Sequence, residues 1–265
     1  MEFDTETLLS LNAIGGVSRR QLRGRNAAID TTAETIWTPG GAYVRLTSAV
    51  AMEVVSGSAN DAAAGTGART VELLMVDGNY VESRVVVTLN GTTPVAISGT
   101  YLACNRARVL TVGSGGVNAG VIDVRTVSGS AVKRRIDSGA SSSGRDADFI
   151  FAVPAGYDAL LRDIYITASG GTGTLRFYLT AYYGDSGSSE GLAEGFLSLQ
   201  GVGVQKGDVP AMRFGGGLKL PPKTQIELLG LTSAGAGLIN ANANIDLFSR
   251  TSGPLSLALQ GARTY

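Results

Sequence analysis

From about residue 35 onward, apolar and polar positions alternate in short runs, the two-residue period of half-buried strands. Residues 43–47 (Tyr-Val-Arg-Leu-Thr) show the alternation, and residues 50–55 make a second short run. Two Val- and Leu-rich runs, 70–76 and 82–89, flank Asp77-Gly78, a pair that tolerates the positive φ of a hairpin turn. Asn90-Gly91 is another turn of that kind. Strand patterns continue over 95–97, 101–102, 106–112 and 121–127, with small polar loops at 57–67 and 113–120. Beyond a stretch without large apolar side chains, the pattern resumes at 149–153, 159–168 and 175–183, where Phe177, Leu179, Ala181 and Tyr183 share one face. Later runs cover 196–204, 211–214, 225–231 and 243–248, and Pro221-Pro222 marks the entry of one of them. Residues 255–259 fit a strand or a helix equally well.

Turn signals about every ten residues predict an all-β chain of sandwich or barrel type. Residues 138–147, Ser- and Gly-rich, read as a linker. The expected architecture is therefore two antiparallel β-sandwich (jelly-roll-like) modules, 36–137 and 148–265, with one large barrel as the alternative. Residues 1–35 differ. A short apolar stretch holding Leu8, Leu9, Leu11 and Ile14 leads to Gly15-Gly16, which would end any helix over 4–12. Arg19, Arg20, Arg23 and Arg25 then follow within seven residues. This segment reads as an N-terminal arm that orders against a partner, its arginines pairing with acidic groups and Leu8, Leu11 and Ile14 adding apolar contact.

Composition narrows the chemistry. The 265 residues include 37 glycines with no three-residue period, which excludes collagen and fits many turns. Lysine plus arginine equals aspartate plus glutamate, 22 each, which argues against a surface devoted to nucleic acid. There is no histidine, so the commonest general base and transition-metal ligand are both missing. Cys104 is the single cysteine and lies in an apolar strand pattern, where a structural thiol is expected rather than a nucleophile. No intrachain disulfide can form. The start, Met1-Glu-Phe-Asp-Thr-Glu, shows no secretory signal pattern, and no run of 18 apolar residues predicts a membrane helix.

No motif marks a catalytic centre. Asp137, Asp146 and Asp148 cluster in sequence but read as solvated linker carboxylates rather than an ion site. The glycines of 201–207 lack the lysine spacing and following helix of a phosphate loop. A carboxylate pair of the glycosidase kind has no sequence mark here. Lys133-Arg134-Arg135 reads as a solvated basic spot. Neither enzyme activity nor a cofactor is expected.

Several phrases nonetheless have a distinct character: Glu34-Thr-Ile-Trp37-Thr-Pro-Gly-Gly41-Ala-Tyr43, Ser56-Gly-Ser-Ala-Asn-Asp61-Ala-Ala-Ala-Gly-Thr-Gly67-Ala-Arg-Thr-Val71, and Asp77-Gly-Asn-Tyr80. Val87-Thr-Leu-Asn90-Gly-Thr-Thr-Pro94, Asn105-Arg106-Ala-Arg, Gly113-Ser-Gly-Gly-Val-Asn-Ala-Gly120 and Val153-Pro-Ala-Gly156-Tyr157 belong with them. Together, over residues 34–183, they resemble virion structural proteins of tailed bacteriophages. The resemblance implies a capsid decoration or cement protein that binds the major capsid protein or a neighbouring virion protein. It also implies self-association, with a trimer favoured, and location in the virion after assembly in the host cytoplasm. A neck or tail adaptor, or a fibre component binding the host surface, is the alternative. The resemblance brings no catalytic residues with it, and the balanced charge and lack of a long apolar run leave no membrane contact and no direct nucleic-acid contact expected.

Overall fold

The computed structural model describes residues 14–139, 143–170, 174–183, 196–200, 211–235 and 237–250. Its regular structure is all β, and every strand pairing is antiparallel. The strands in chain order are β1 (Val17–Ile29), β2 (Glu34–Thr35), β3 (Val50–Ser56), β4 (Ala68–Asp77), β5 (Glu82–Thr88), β6 (Val95–Val112), β7 (Ile122–Thr126), β8 (Val132–Ile136), β9 (Ile150–Ala152), β10 (Tyr157–Gly170), β11 (Leu175–Tyr183), β12 (Phe196–Gln200), β13 (Ala211–Leu220), β14 (Thr224–Thr232) and β15 (Gly237–Ser249). The all-β sandwich class expected from the alternation is the fold the chain adopts.

One sheet, ordered β5-β4-β6-β3-β7-β8, forms the first module. It curls because β6 serves two neighbours. Residues 95–101 of β6 pair with β3, and residues 101–112 pair with β4. Gly99, at φ +101°, takes a conformation closed to most L-residues just where the strand changes partner. Register shifts along the β4–β6 ladder add the twist that bulges bring. The curl encloses Met52, Val54, Leu73, Met75, Ile97, Ile122, Val124 and Ile136. The second module stacks a four-stranded sheet, β1-β15-β10-β13, on a second sheet, β12-β11-β14-β2, in which β9 also pairs with β14. Between them lies a core that includes Phe149, Leu161, Ile164, Phe177, Leu179, Leu228 and Ile245.

The arm expected over residues 1–35 is, from Val17 on, an integral strand of this second module. β1 pairs with β15 from Val17↔Phe248 to Ile29↔Gly237. The misreading has a physical cause. Val17, Leu22, Gly24, Asn26 and Ile29 are the buried positions of β1, and two of those five carry no apolar side chain. Gly24 is there because its neighbours come close: a Cβ would stand 2.6 Å from the Ile36 carbonyl oxygen and 2.7 Å from Phe149 Cβ. Asn26 is tolerated because its Nδ2 donates to Glu34 Oε2 and to the Thr35 carbonyl. The second module is thus built from both ends of the described chain, with the first module inserted between β2 and β9. Leu8, Leu9 and Leu11 lie outside the described residues, as do 201–207 and 255–259.

Two other expectations change. Residues 43–47 are irregular rather than a strand. Tyr43 there donates its amide to Thr35 Oγ1 and sets its ring edge-on to Trp37, with centroids 5.3 Å apart. The basic triplet read as solvated is instead mostly interior: Lys133 and Arg134 are 2% and 1% exposed. Lys133 Nζ donates to the Val44 carbonyl at 2.7 Å and lies over the Tyr43 ring.

Arg134 holds the junction of the modules. Its Nε and Nη2 donate to the Cys104 carbonyl of β6, its Nη1 to Asp148 O at 2.6 Å, and its Nη2 to Ile150 O at 2.9 Å. Asp146 completes the site with an ion pair at 3.0 Å. Asn105 repeats the device, its side-chain amide exchanging two hydrogen bonds with the backbone of Ala152. The β4–β5 hairpin reaches across as well: Tyr80 O accepts from the Ala155 amide, and Tyr80 Oη from Gln225. Residues 143–147, expected as a solvated linker, are tied to both modules. The Val109 amide donates to Gly144 O, the Asp146 amide to Ala107 O, and the Arg25 amide to Ala147 O.

Two substitutions test this construction. Gly24→Ala is expected to destabilise by about 1–3 kcal/mol through overpacking, read as a lower urea midpoint with unchanged m. Arg134→Met strands three carbonyls and the Asp146 carboxylate, at a cost of about 3–5 kcal/mol. Arg134→Lys should not restore the loss, because one ammonium cannot reproduce a planar fork spanning three acceptors.

Candidate functional site

β1 carries three of its four arginines at alternate positions, so Arg19, Gln21, Arg23 and Arg25 point one way while Leu22, Gly24 and Asn26 point into the module. Arg19 donates through Nε and Nη2 to the two oxygens of Asp246, at 2.7 and 3.0 Å. Arg162 adds a third bond to that carboxylate at 2.9 Å. Burial would raise the pKa of Asp246, but the two guanidiniums outweigh it and hold the group below the usual carboxylate range. Arg20 reaches the first module, donating to Glu82 Oε2 at 2.8 Å, and Arg25 pairs with Asp137 at 3.0 Å. The partners expected on a neighbouring subunit therefore include acids of the chain itself for three of the four arginines. Arg23 is different. Among the described residues its side chain has no hydrogen bond or ion pair, and the same holds for Arg145.

Arg23 and Arg145 line one cleft of about 120 Å³ between the modules, together with Arg19, Arg20, Arg106, Arg134, Asp146 and Asp148. They also line a second, of about 330 Å³, with Arg25, Thr38, Asn240 and Asn242. Arg106 points toward the first cleft with its Nη2 bonded to Glu72, while its buried Nε has no partner. Ile14, the remaining described member of the expected partner-binding set, is half-buried at the turn before β1 and accepts the Val17 amide.

Around the corner, on the outer face of the first module, Glu72 of β4 receives Arg84 from β5 and both Arg106 and Arg108 from β6. The Arg108 hydrogen bonds lead, helped by those of Arg84 and Arg106, and hold the carboxyl at about 2 against the opposing effect of burial. Val86, opposite Glu72 in the β4–β5 register, is 46% exposed, and Leu110 and Val112 at the end of β6 are exposed too. This face is an arginine cluster bordered by apolar side chains.

The acids at the junction are engaged rather than free. Asp148, expected as a solvated carboxylate, is buried and accepts the amides of Thr38 and Arg135. Asp146 is pushed up to about 6 by burial, against the pull of Arg134. Cys104 is buried, and burial pushes its thiol up to about 12, far from a thiolate at neutral pH. No group of three acidic or cysteine ligands converges among the described residues. Sequence reasoning missed Arg145 and the Glu72 cluster. The alternate arginines at 106 and 108 were the available signal for the latter.

No protein-family model matches the sequence, and comparison with curated proteins gives no match. Among solved structures, the chain is similar to that of the infectious bursal disease virus Gx strain, at 10% identity and TM-score 0.28, covering 91% of this chain and 74% of that one. It is similar to the VP2 subviral particle of that virus at 11% identity and TM-score 0.21, covering 90% and 78%. The PBSX exported protein XepA shares 16% identity at TM-score 0.17, over 87% and 86%.

The Glu72 cluster predicts a pH dependence. Because the folded pKa lies below the ordinary value, the cluster stabilises the protein above about pH 4.5 and loses that contribution as pH falls toward 2. Glu72→Gln should lower unfolding free energy at pH 7 by about 1–3 kcal/mol and flatten this acid limb, measured by urea denaturation at several pH values.

Proposed function

We propose that the chain is a structural protein of a virion, and specifically a capsid decoration protein of a tailed bacteriophage. It binds the major capsid protein and copies of itself, as a trimer. One observation carries the reading: a broad arginine-rich surface, from Arg84 and Arg108 across Arg106 to Arg23 and Arg145, bordered by exposed Val86, Leu110 and Val112. Arginine with apolar neighbours is the composition of protein–protein interfaces rather than of idle surface. The buried ionisable groups at the junction, Arg134, Asp146 and Asp148, by contrast, serve structural ties, which is what an assembly protein needs. The resemblance of residues 34–183 to phage virion proteins supplies the kind of assembly.

Quantitative mass spectrometry of purified particles from the system encoding the chain checks this. A decoration protein is expected on the order of hundreds of copies per particle, as repetition over a symmetric shell requires. A few tens or fewer would move the assignment to the neck, tail or fibre. Absence from particles would overturn it.

A further inference from the structure

We propose that the cleft between β1 and residues 143–148 receives an extended acidic strand, and that this strand is residues 2–6 of a second copy of the chain. The inference rests on the assembly reading above and names one of its contacts.

Three cationic donors on one cleft lack acceptors among the described residues: the guanidiniums of Arg23 and Arg145, and the buried Nε of Arg106. Of the three, the Arg106 Nε is the buried one, and a buried donor without a partner is costly and rare in a finished structure, so an acceptor is called for there; Arg23 is half-buried and Arg145 exposed, both open to an incoming carboxylate. The cleft cannot supply it. Of its acids, Asp148 accepts two backbone amides and Asp146 pairs with Arg134. Six arginines line the cleft against these two aspartates.

The backbone adds to the case. β1 is an edge strand of its sheet. The Arg25 amide points away from β15 to the Ala147 carbonyl, and the two-residue period turns the Arg23 amide the same way. An incoming strand would thus find main-chain as well as guanidinium donors, the arrangement of β-strand addition. At about 120 Å³ the cleft suits the carboxylates of a narrow extended chain rather than a drug-sized ligand.

The occupant is chosen by spacing. Glu2, Asp4 and Glu6 are the only three acids in the sequence at successive alternate positions. Extended, they would place three carboxylates on one face about 6.6–6.8 Å apart, a row of acceptors to set against the basic lining of the cleft. Formal charge is balanced at 22 against 22, so an uncompensated basic cleft implies an acidic counterpart elsewhere in the chain, and residues 2–6 are one.

The test uses the full chain. Self-association is measured by analytical ultracentrifugation for the parent, for Arg23→Glu with Arg145→Glu, for Glu2→Lys with Asp4→Lys and Glu6→Lys, and for all five together. Among the described residues neither Arg23 nor Arg145 has a side-chain partner to lose, so the first variant should keep its thermal unfolding midpoint. Each reversal is expected to weaken association about tenfold or more, and the combined variant to recover it. Association that ignores both reversals overturns this inference and leaves the assembly reading in place. Sensitivity to the arginine reversal alone means that another acid fills the cleft, and overturns residues 2–6 as its occupant. A parent that stays monomeric overturns the inference, and the assembly reading falls with it only if the chain is also missing from particles.

Discussion

The buried guanidinium of Arg134 decides how the two modules meet. Among the described residues neither module continues its sheet into the other: β9 pairs with β14, and β6 with β3 and β4. Where a strand ladder would otherwise bridge the gap, a side chain does so, giving donors to Cys104 of β6, to Asp148 just before β9 and to Ile150 of β9. A charge placed so far from water is tolerated only when every donor is used and a counter-charge is near. Both conditions hold here, and they explain the neighbours. Asp146 has to be beside it, so residues 143–147 have to be pulled in against β6 and β1. That pull in turn leaves Arg145 turned outward and sets the shape of the cleft.

The arginine-rich surface divides into arginines that hold the fold together and arginines that do not. Arg19, Arg20 and Arg25 clamp β1 to β15, to the first module and to Asp137. Arg84, Arg106 and Arg108 gather on one glutamate. These pairs fix the positions of the remaining cations, so Arg23 and Arg145 are presented from a rigid frame rather than from a loose arm. Charge presented in this way needs little ordering when a partner arrives, which favours specific recognition over diffuse attraction.

Much of the fold was legible because alternation survives wherever one face of a strand is buried. The runs at 70–76, 82–89, 159–168 and 175–183 all became strands, and in the last of them Phe177, Leu179 and Ala181 face inward as expected. The pattern failed where the interior is not apolar. β1 buries Gly24 and Asn26, so its alternation is invisible to a hydrophobicity reading, and β8 buries Lys133 and Arg134 outright. Residues 43–47 failed in the opposite sense: the alternation is there, but Tyr43 is held by Thr35 and Trp37 instead of a strand neighbour. The candidate site was half legible. Local density singled out the arginines of β1, whereas Arg145 and Asp146 meet them only through long-range folding.

The insertion of the first module between β2 and β9 imposes an order on biosynthesis. β1 is made early, yet its partner β15 lies more than 200 residues later, at Gly237–Ser249. The curled sheet of the first module is contiguous and can close while the rest of the chain is still being made, but β1 must wait unpaired until nearly all of the second module has emerged. An edge strand left open that long is a template for wrong pairing. Its dense arginines, which look extravagant in the finished fold, would keep nascent chains apart during that interval.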